Sequence, residues 1–329
     1  MTDNKNLHVT SNSRPLRERV GLIVNGINAA TAVTTVVAAE DAGVRQIWMS
    51  QPPSLPDVLT TFAAAASKTS SINLGTSIVP TYPRHPLVLA QQALALHDIA
   101  PDRLRLGIGP SHSFIIEKMY GLQQSNPLSH LREYVEVLRM ALWDGKVSHH
   151  GDFYNVEAAL VRTAHIPLLI STLGKMAFHM AGKIADGALT WVCPIPYLLH
   201  TGIPTLRSSA DTVGRSAPPL IAHVPVILSD NRVSILEAGH RYLDFYAKIP
   251  FYANMFSSAG FQIASERVVP NILIDNLVIS GNETTIEQRL TELLVTGIDE
   301  IMMSLVPIAG MSEDEQQAKL LRLIGQLGA

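Results

Sequence analysis

Residues 103–112 read "RLRLGIGPSH", an alternating apolar stretch that runs into two glycines and then into a serine and a histidine. The alternation is that of a strand, and a Gly-x-Gly at its end lets backbone approach a neighbour or a ligand because no Cβ stands in the way. A dinucleotide fingerprint needs a third glycine three residues after Gly109, where the chain has Pro110, Ser111 and His112. The stretch therefore reads as a strand-to-helix turn of an α/β protein, outside the Rossmann pattern.

Working outward, short β-rich runs at 20–24, 45–49, 72–79, 103–108, 167–171, 187–191, 221–228 and 300–305 alternate with segments of helical periodicity. The helical segments lie near 31–42, 57–67, 86–99, 128–143, 175–185, 195–213, 231–248 and 284–296, with Ser54, Asp57 and Asp230 at starts and Gly43 after the first. Alternation implies a parallel sheet, and eight units imply a closed (β/α)8 TIM barrel over an open doubly wound sheet. Residues 1–19 read as a flexible polar tail, and 20–329 as one barrel domain. Two insertions depart from a minimal barrel. Residues 144–166 read as a hairpin with its turn at His150-Gly151-Asp152, and 249–282 as an aromatic and then aliphatic excursion, both expected near the C-terminal mouth.

The composition narrows the function. With 47% hydrophobic and 16% charged residues, the chain can bury a large core and is neither disordered nor a coiled coil. Lys plus Arg is 25 against 28 for Asp plus Glu, and no basic cluster stands out, so no nucleic-acid partner is expected. No signal peptide and no apolar run of spanning length is present, which reads as a cytoplasmic protein with no membrane partner. The single cysteine, Cys193, excludes an intramolecular disulfide and a multi-cysteine metal site. No metal site is expected. The neighbours His149 and His150 point to opposite faces of a strand.

Barrels carry their chemistry at the C-terminal ends of their strands. That rule selects Asn25 and Gly26, Ser50 and Gln51, "VPTYPRHP" at 79–86, the opening turn, "STLGKM" at 171–176 and "WVCP" at 191–194. Thr172, Leu173 and Gly174 precede an apolar helix, so first-turn N–H groups there suit a phosphate, and Lys175 adds a positive charge. The alternative is a plain turn with a solvated lysine. Ser77 and Ile78 end the third strand at the mouth, while Arg84 and His85 open a helix and otherwise read as surface groups. His112 reads either as a structurally satisfied histidine or as a proton donor. Absence of a G-x-S-x-G elbow, a Walker loop and an H-E-x-x-H argues against hydrolysis and phosphoryl transfer.

Three stretches, "LGTSIVPTYPRHPLVLAQQALALHDIAPDRLRLGIGPSH", "LREYVEVLRMALWDGKVSHHGDFYNV" and "IPLLISTLGKMAFHMAGKIADGALTWV", resemble the luciferase-like monooxygenase superfamily, in its branch of coenzyme F420-dependent reductases. The resemblance spans residues 74–192, with weaker similarity on either side. It implies a TIM barrel, usually a homodimer, with a deazaflavin or flavin mononucleotide ring at the mouth and a non-prolyl cis peptide, by position Ser77-Ile78. It further implies that Asn25, Ser77, Ile78 and Ser111 border the cofactor, that Gly107 and Gly109 give the ring room, and that Thr172, Gly174, Lys175 and Met176 take its phosphate. Where dehydrogenases of the family carry an acid-base pair, this chain has Met49-Ser50-Gln51 and Pro110-Ser111-His112, leaving His112 and Ser50 as catalytic candidates. The expected activity is hydride transfer from reduced F420 to the C=C or C=N bond of a small organic substrate. An FMN-dependent monooxygenase and a non-catalytic flavin-binding barrel are the alternatives.

Overall fold

One side chain of each of six strands belongs to a separate inner cluster, while its chain neighbours face the helices. Ile23, Trp48, Leu169, Leu189, Ile221 and Met302 are inside, whereas Leu22, Ile47, Leu168, Ala188, Leu220 and Ile301 are outside. This period of two with both faces buried is the pattern of a parallel sheet covered by helices. The computed structural model describes residues 14–263 and 268–328.

In chain order the elements are β1 (Val20–Ile23), α1 (Ala29–Asp41), β2 (Gln46–Met49), α2 (Val58–Ala66), β3 (Asn73–Thr76), β4 (Val79–Pro80), α3 (Pro86–Ile99), β5 (Leu104–Gly109) and α4 (Pro127–Arg139). There follow β6 (Lys146–His150), β7 (Asn155–Ala159), β8 (Leu168–Ser171), α5 (Lys175–Ile184), β9 (Gly187–Leu189), α6 (Ile195–Tyr197), α7 (Ile203–Asp211) and β10 (Leu220–Ile227). The chain then forms α8 (Arg232–Ala247), α9 (Pro250–Ser258), α10 (Asn271–Leu277), β11 (Ile279–Ser280), α11 (Glu283–Val295), β12 (Glu300–Leu305) and α12 (Glu313–Gln326). Strands β1, β2, β3, β5, β8, β9, β10 and β12 pair in parallel around a closed ring, with Val20 opposite Ile301 at the closure. The eight barrel strands are the eight expected from the sequence, and the architecture is the (β/α)8 barrel.

Local differences have physical causes. The third strand breaks in two at the cis Ser77-Ile78 peptide, and β4 pairs with the end of β5. The hairpin β6–β7 turns at Gly151, as expected, because Glu133 accepts the backbone N–H groups of Asp152, Phe153 and Tyr154. The second insertion is helical, forming α9 and α10 before the two-residue β11, which adds to the end of β10 outside the ring. Helix α12 was not among the expected segments. Residues 1–13 of the expected tail lie outside the described residues, but 14–19 are built into the barrel's underside. Arg19 is buried and donates to the carbonyls of Leu294, Ile298 and Asp299.

The barrel lumen is filled by Trp48, which is fully buried, and Gly75 leaves room for it, since a Cβ there would run into the indole ring. Beneath this plug lies a polar layer. Glu300 accepts from Arg105 at 2.5 Å, Arg14 at 2.9 Å and Gln46 at 3.2 Å, and Gln46 Oε1 takes the Trp48 indole N–H at 3.2 Å. No helix among the described residues is long and apolar enough to cross a membrane.

Candidate active site

Counting two residues onward from each inward position gives the next inward face, toward the C-terminal ends of the strands. From Ile23, Trp48, Gly75, Gly107, Leu169, Leu189, Ile221 and Met302 the count reaches Asn25, Ser50, Ser77, Gly109, Ser171, Trp191, His223 and Ser304. The apolar plug thus gives way to small and polar groups, plus one tryptophan, at the mouth.

These residues meet. The Ser50 N–H donates to Asn25 Oδ1 at 3.4 Å and the Ser50 hydroxyl to the Ser77 carbonyl at 3.0 Å, so the cis peptide is tied to β2 and to the loop after β1. Ser77 Oγ is buried and has no hydrogen-bond partner among the described residues. Ile78 and Trp191 pack onto the inner cluster and form the floor of the mouth. Gly109 lies between Ser171 and Ile78, and a Cβ on it would collide with the Ser171 hydroxyl.

Across the mouth, Trp191 stacks on His223 with ring centroids 4.0 Å apart. The Val192 N–H donates to His223 Nδ1 at 3.2 Å, which leaves the proton on Nε2, where it reaches Ser304 Oγ at 2.9 Å. Burial lowers the His223 pKa to about 3, so the ring is neutral and serves as a connector. Val192, a β-branched residue, sits at φ +51°, a left-handed conformation that the His223 contact helps to hold. The Trp191 indole N–H donates to Tyr246 Oη at 2.8 Å.

The α5 entrance is a cradle. Gly174 is the N-cap and supplies no side-chain cap; the Ala177 N–H is taken by the Gly174 carbonyl at 2.9 Å, so the first-turn donors left to face a ligand are the N–H groups of Lys175 and Met176. Nothing lies within 4 Å of a Cβ placed on Gly174, and Lys175 and Met176 are exposed beside it. Tyr197 holds the loop by donating to the Leu173 carbonyl at 3.0 Å. Two sequence-predicted members do not join the site. A Cβ on Gly107 would strike the Thr76 carbonyl and Leu189, so that glycine serves strand packing below the mouth and gives a ring no room. The Thr172 N–H and hydroxyl both donate to the Leu189 carbonyl, at 2.7 and 3.1 Å, which takes its donors away from a phosphate.

The opening turn is arranged by Ser111 at φ +61° and by Gln124, whose side-chain amide donates to the Pro110 carbonyl at 2.8 Å and the Ser111 carbonyl at 3.3 Å. His112 stands on the wall, its ring parallel to Phe114 at 5.9 Å, and burial lowers its pKa below the usual 6.5. Arg84 and His85 serve structure. Arg84 pairs with Asp57 at 2.5 Å, and His85 Nδ1 caps α3 by accepting the Leu87 N–H. His149 turns inward to Glu133 at 3.0 Å while His150 faces outward, as their adjacency in a strand requires. Cys193 is buried, and burial pushes its thiol up to about 12, so it is inert as a nucleophile.

The closed parallel barrel thus gathers at its C-terminal mouth an unpaired buried hydroxyl, a floor of Ile78 and Trp191 and a helix start without a side-chain cap, features that suit a phosphorylated ring compound. Comparison with known proteins sets the family: the chain belongs to the luciferase-like monooxygenases, which it matches over residues 10–299. It is 23% identical to a 5,10-methylenetetrahydromethanopterin reductase of Methanolobus tindarius, covering 88% of this chain and 92% of that one. It is also 33% identical, over 54% of this chain and 57% of the relative, to an F420-dependent glucose-6-phosphate dehydrogenase of Nakamurella multipartita. Among solved structures, the coenzyme F420-dependent tetrahydromethanopterin reductase of Methanopyrus kandleri superposes with a TM-score of 0.76 at 21% identity, covering 94% of this chain and 97% of that one.

Proposed function

We propose that the chain is an F420-dependent oxidoreductase that passes hydride from the reduced coenzyme to the C=C or C=N bond of a small organic substrate. The observation that carries the cofactor assignment is Ser77 Oγ, a buried hydroxyl without a partner at the cis peptide. Such a group costs free energy unless something bound satisfies it. The open Gly174 cradle suits the coenzyme's phosphate, and the names of the relatives agree with F420.

When bound, reduced F420 supplies the hydride. The chain's part is to hold and shield. Ile78 and Trp191 would lie against the cofactor ring, Ser77 Oγ and the Ser50–Asn25 chain would offer it hydrogen bonds, and the first-turn N–H groups of α5 with Lys175 would hold the phosphate. Ser111 and His112 border the space left for substrate. A proton must follow the hydride, and His112 is the nearest titratable candidate. Its lowered pKa keeps it neutral at pH 7, so it gives a proton only through its minor charged form. Turnover that depends on it rises as the pH falls below 7. His112→Ala abolishes that rise; an unchanged profile assigns the proton to solvent.

The reductase reading is favoured by the names of the methanopterin relatives and by the absence of a paired acid and base at Ser50 and His112. The second reading, an FMN-dependent monooxygenase, draws on a neighbour solved with FMN, a Baeyer-Villiger monooxygenase at 15% identity. Turnover assays separate them. Consumption of reduced F420 under anaerobic conditions supports the reductase, and substrate-dependent oxygen uptake with reduced FMN overturns it. A cytoplasmic homodimer completes the proposal, and sedimentation equilibrium tests the dimer.

A further inference from the structure

Five aromatic rings form a closed cycle of contacts on one side of the mouth. His112 meets Phe114 at 5.9 Å, Phe114 meets Phe245 at 6.3 Å, Phe245 meets Tyr246 at 5.3 Å, Tyr246 meets Tyr252 at 4.9 Å, and Tyr252 returns to His112 at 5.6 Å. The cycle ties the turn after β5 to α8 and α9, and Tyr246 is also hydrogen-bonded to Trp191 on the floor. The wall is therefore continuous with the surface on which the cofactor ring is proposed to lie.

Its chemistry is one-sided. Residues 110–116 "PSHSFII" and 250–258 "PFYANMFSS" carry no acidic or basic side chain apart from His112, whose pKa is lowered by burial. The tyrosine hydroxyls of the cycle are held neutral, since burial raises both. On and just after α8, which carries Phe245 and Tyr246, the charged groups nearest the rings in sequence are Arg241, Asp244 and Lys248, and Arg241 donates to the Pro307 carbonyl at 2.6 Å. Phe245, by contrast, is 51% exposed, a large apolar face left open beside Phe114.

Resting on the F420 reading, we infer that the substrate is a flat, conjugated ring compound, gripped edge and face by Phe114 and Phe245. Aromatic pairs of this kind select for planarity as well as for apolar area.

Equilibrium dialysis with coumarin, a flat neutral lactone with a conjugated C=C bond, and crotonate, an acyclic anion with the same kind of bond, tests this on protein loaded with oxidised F420. Coumarin is retained and crotonate is not. Phe245→Ala and Phe114→Ala each weaken coumarin retention tenfold or more, Phe245→Leu weakens it less, and F420 affinity, read by ring fluorescence, stays within threefold of the wild type. Circular dichroism confirms that the variants are folded, and the exposed Phe245 is the one least able to disturb folding. Retention of crotonate, no retention of coumarin, coumarin retention that survives both alanine substitutions, or a parallel loss of F420 affinity overturns the inference. Failure of the wild type to bind F420 removes the cofactor assignment instead, and coumarin dialysis against the unloaded protein then decides the wall by the same outcomes.

Discussion

The two ends of the barrel are built from the same alternation yet treat their polar groups in opposite ways. At the N-terminal end Glu300, Arg105, Arg14, Gln46 and the Trp48 indole are joined in one network. At the C-terminal end Ser77 Oγ is buried without a partner among the described residues, and Gly174 opens onto empty space. Stability is concentrated where nothing binds, and unsatisfied groups are left where a ligand can meet them, which is the division of labour expected of a barrel enzyme.

The comparison is broken most sharply at its lower end. Glu300→Ala leaves Arg105 facing a buried gap and is expected to cost about 3 kcal/mol or more of stability, read by urea denaturation, with F420 affinity in the folded fraction unchanged. An unaffected midpoint would mean that the network contributes little.

Acid should act next, through the buried histidines. His223 titrates near 3 and His130 near 4 in the folded chain, both because of burial, against 6.5 for a free histidine. The unfolded chain therefore binds protons that the folded chain refuses. Stability is full above pH 6.5 and falls as the pH drops toward 4, by at most ~1.4 kcal/mol per pH unit for each group. Denaturation at pH 7 and pH 4.5 measures the slope, and His223→Gln flattens it.

At the mouth, the cradle comes third. Gly174 has φ −92° and free space around it, so Gly174→Val leaves the fold unstrained while crowding the phosphate. F420 affinity should fall about tenfold or more, equivalent to ~1.4 kcal/mol, with an unchanged melting temperature. Loss of both would make Gly174 a structural residue. The smallest effect has two signs. Ser77→Ala removes an unpartnered hydroxyl and should leave stability equal or raise it by up to about 1 kcal/mol, while weakening F420 binding. A destabilised variant would show that Ser77 Oγ is satisfied within the protein.

Much of this was legible in the sequence. The eight barrel strands follow from alternation and spacing, and Asn25, Ser50, Ser77, Ile78 and Gly109 from their place at strand ends. Gly107 was misread because Gly-x-Gly puts both glycines on one inward face, and only the neighbouring strand shows that the lower one is filled by Thr76 and Leu189. Thr172 was misread because a hydroxyl before a helix suits a phosphate equally well until Leu189 is seen to take it. His223 and Ser304 were missed, although counting by two from the inward residues reaches both; Ser171 and Trp191 lay inside the selected stretches "STLGKM" and "WVCP" but were given no role. Helix α12 was missed despite a capping signal, Ser312 with Glu315, that the structure realises as the Glu315 N–H donating to Ser312 Oγ at 3.2 Å. The aromatic wall was beyond sequence reading, since Phe114 and Phe245 are 131 positions apart in the chain and meet only once the barrel closes.

The central claim is that the mouth is built for F420. Titration of the wild type and of Gly174→Val with F420 and, separately, with flavin mononucleotide, followed by ring fluorescence, tests it directly. The account predicts saturable F420 binding to the wild type, weakened at least tenfold by the substitution, and weaker binding of flavin mononucleotide. Preferential binding of flavin mononucleotide, or F420 binding indifferent to Gly174→Val, would contradict it.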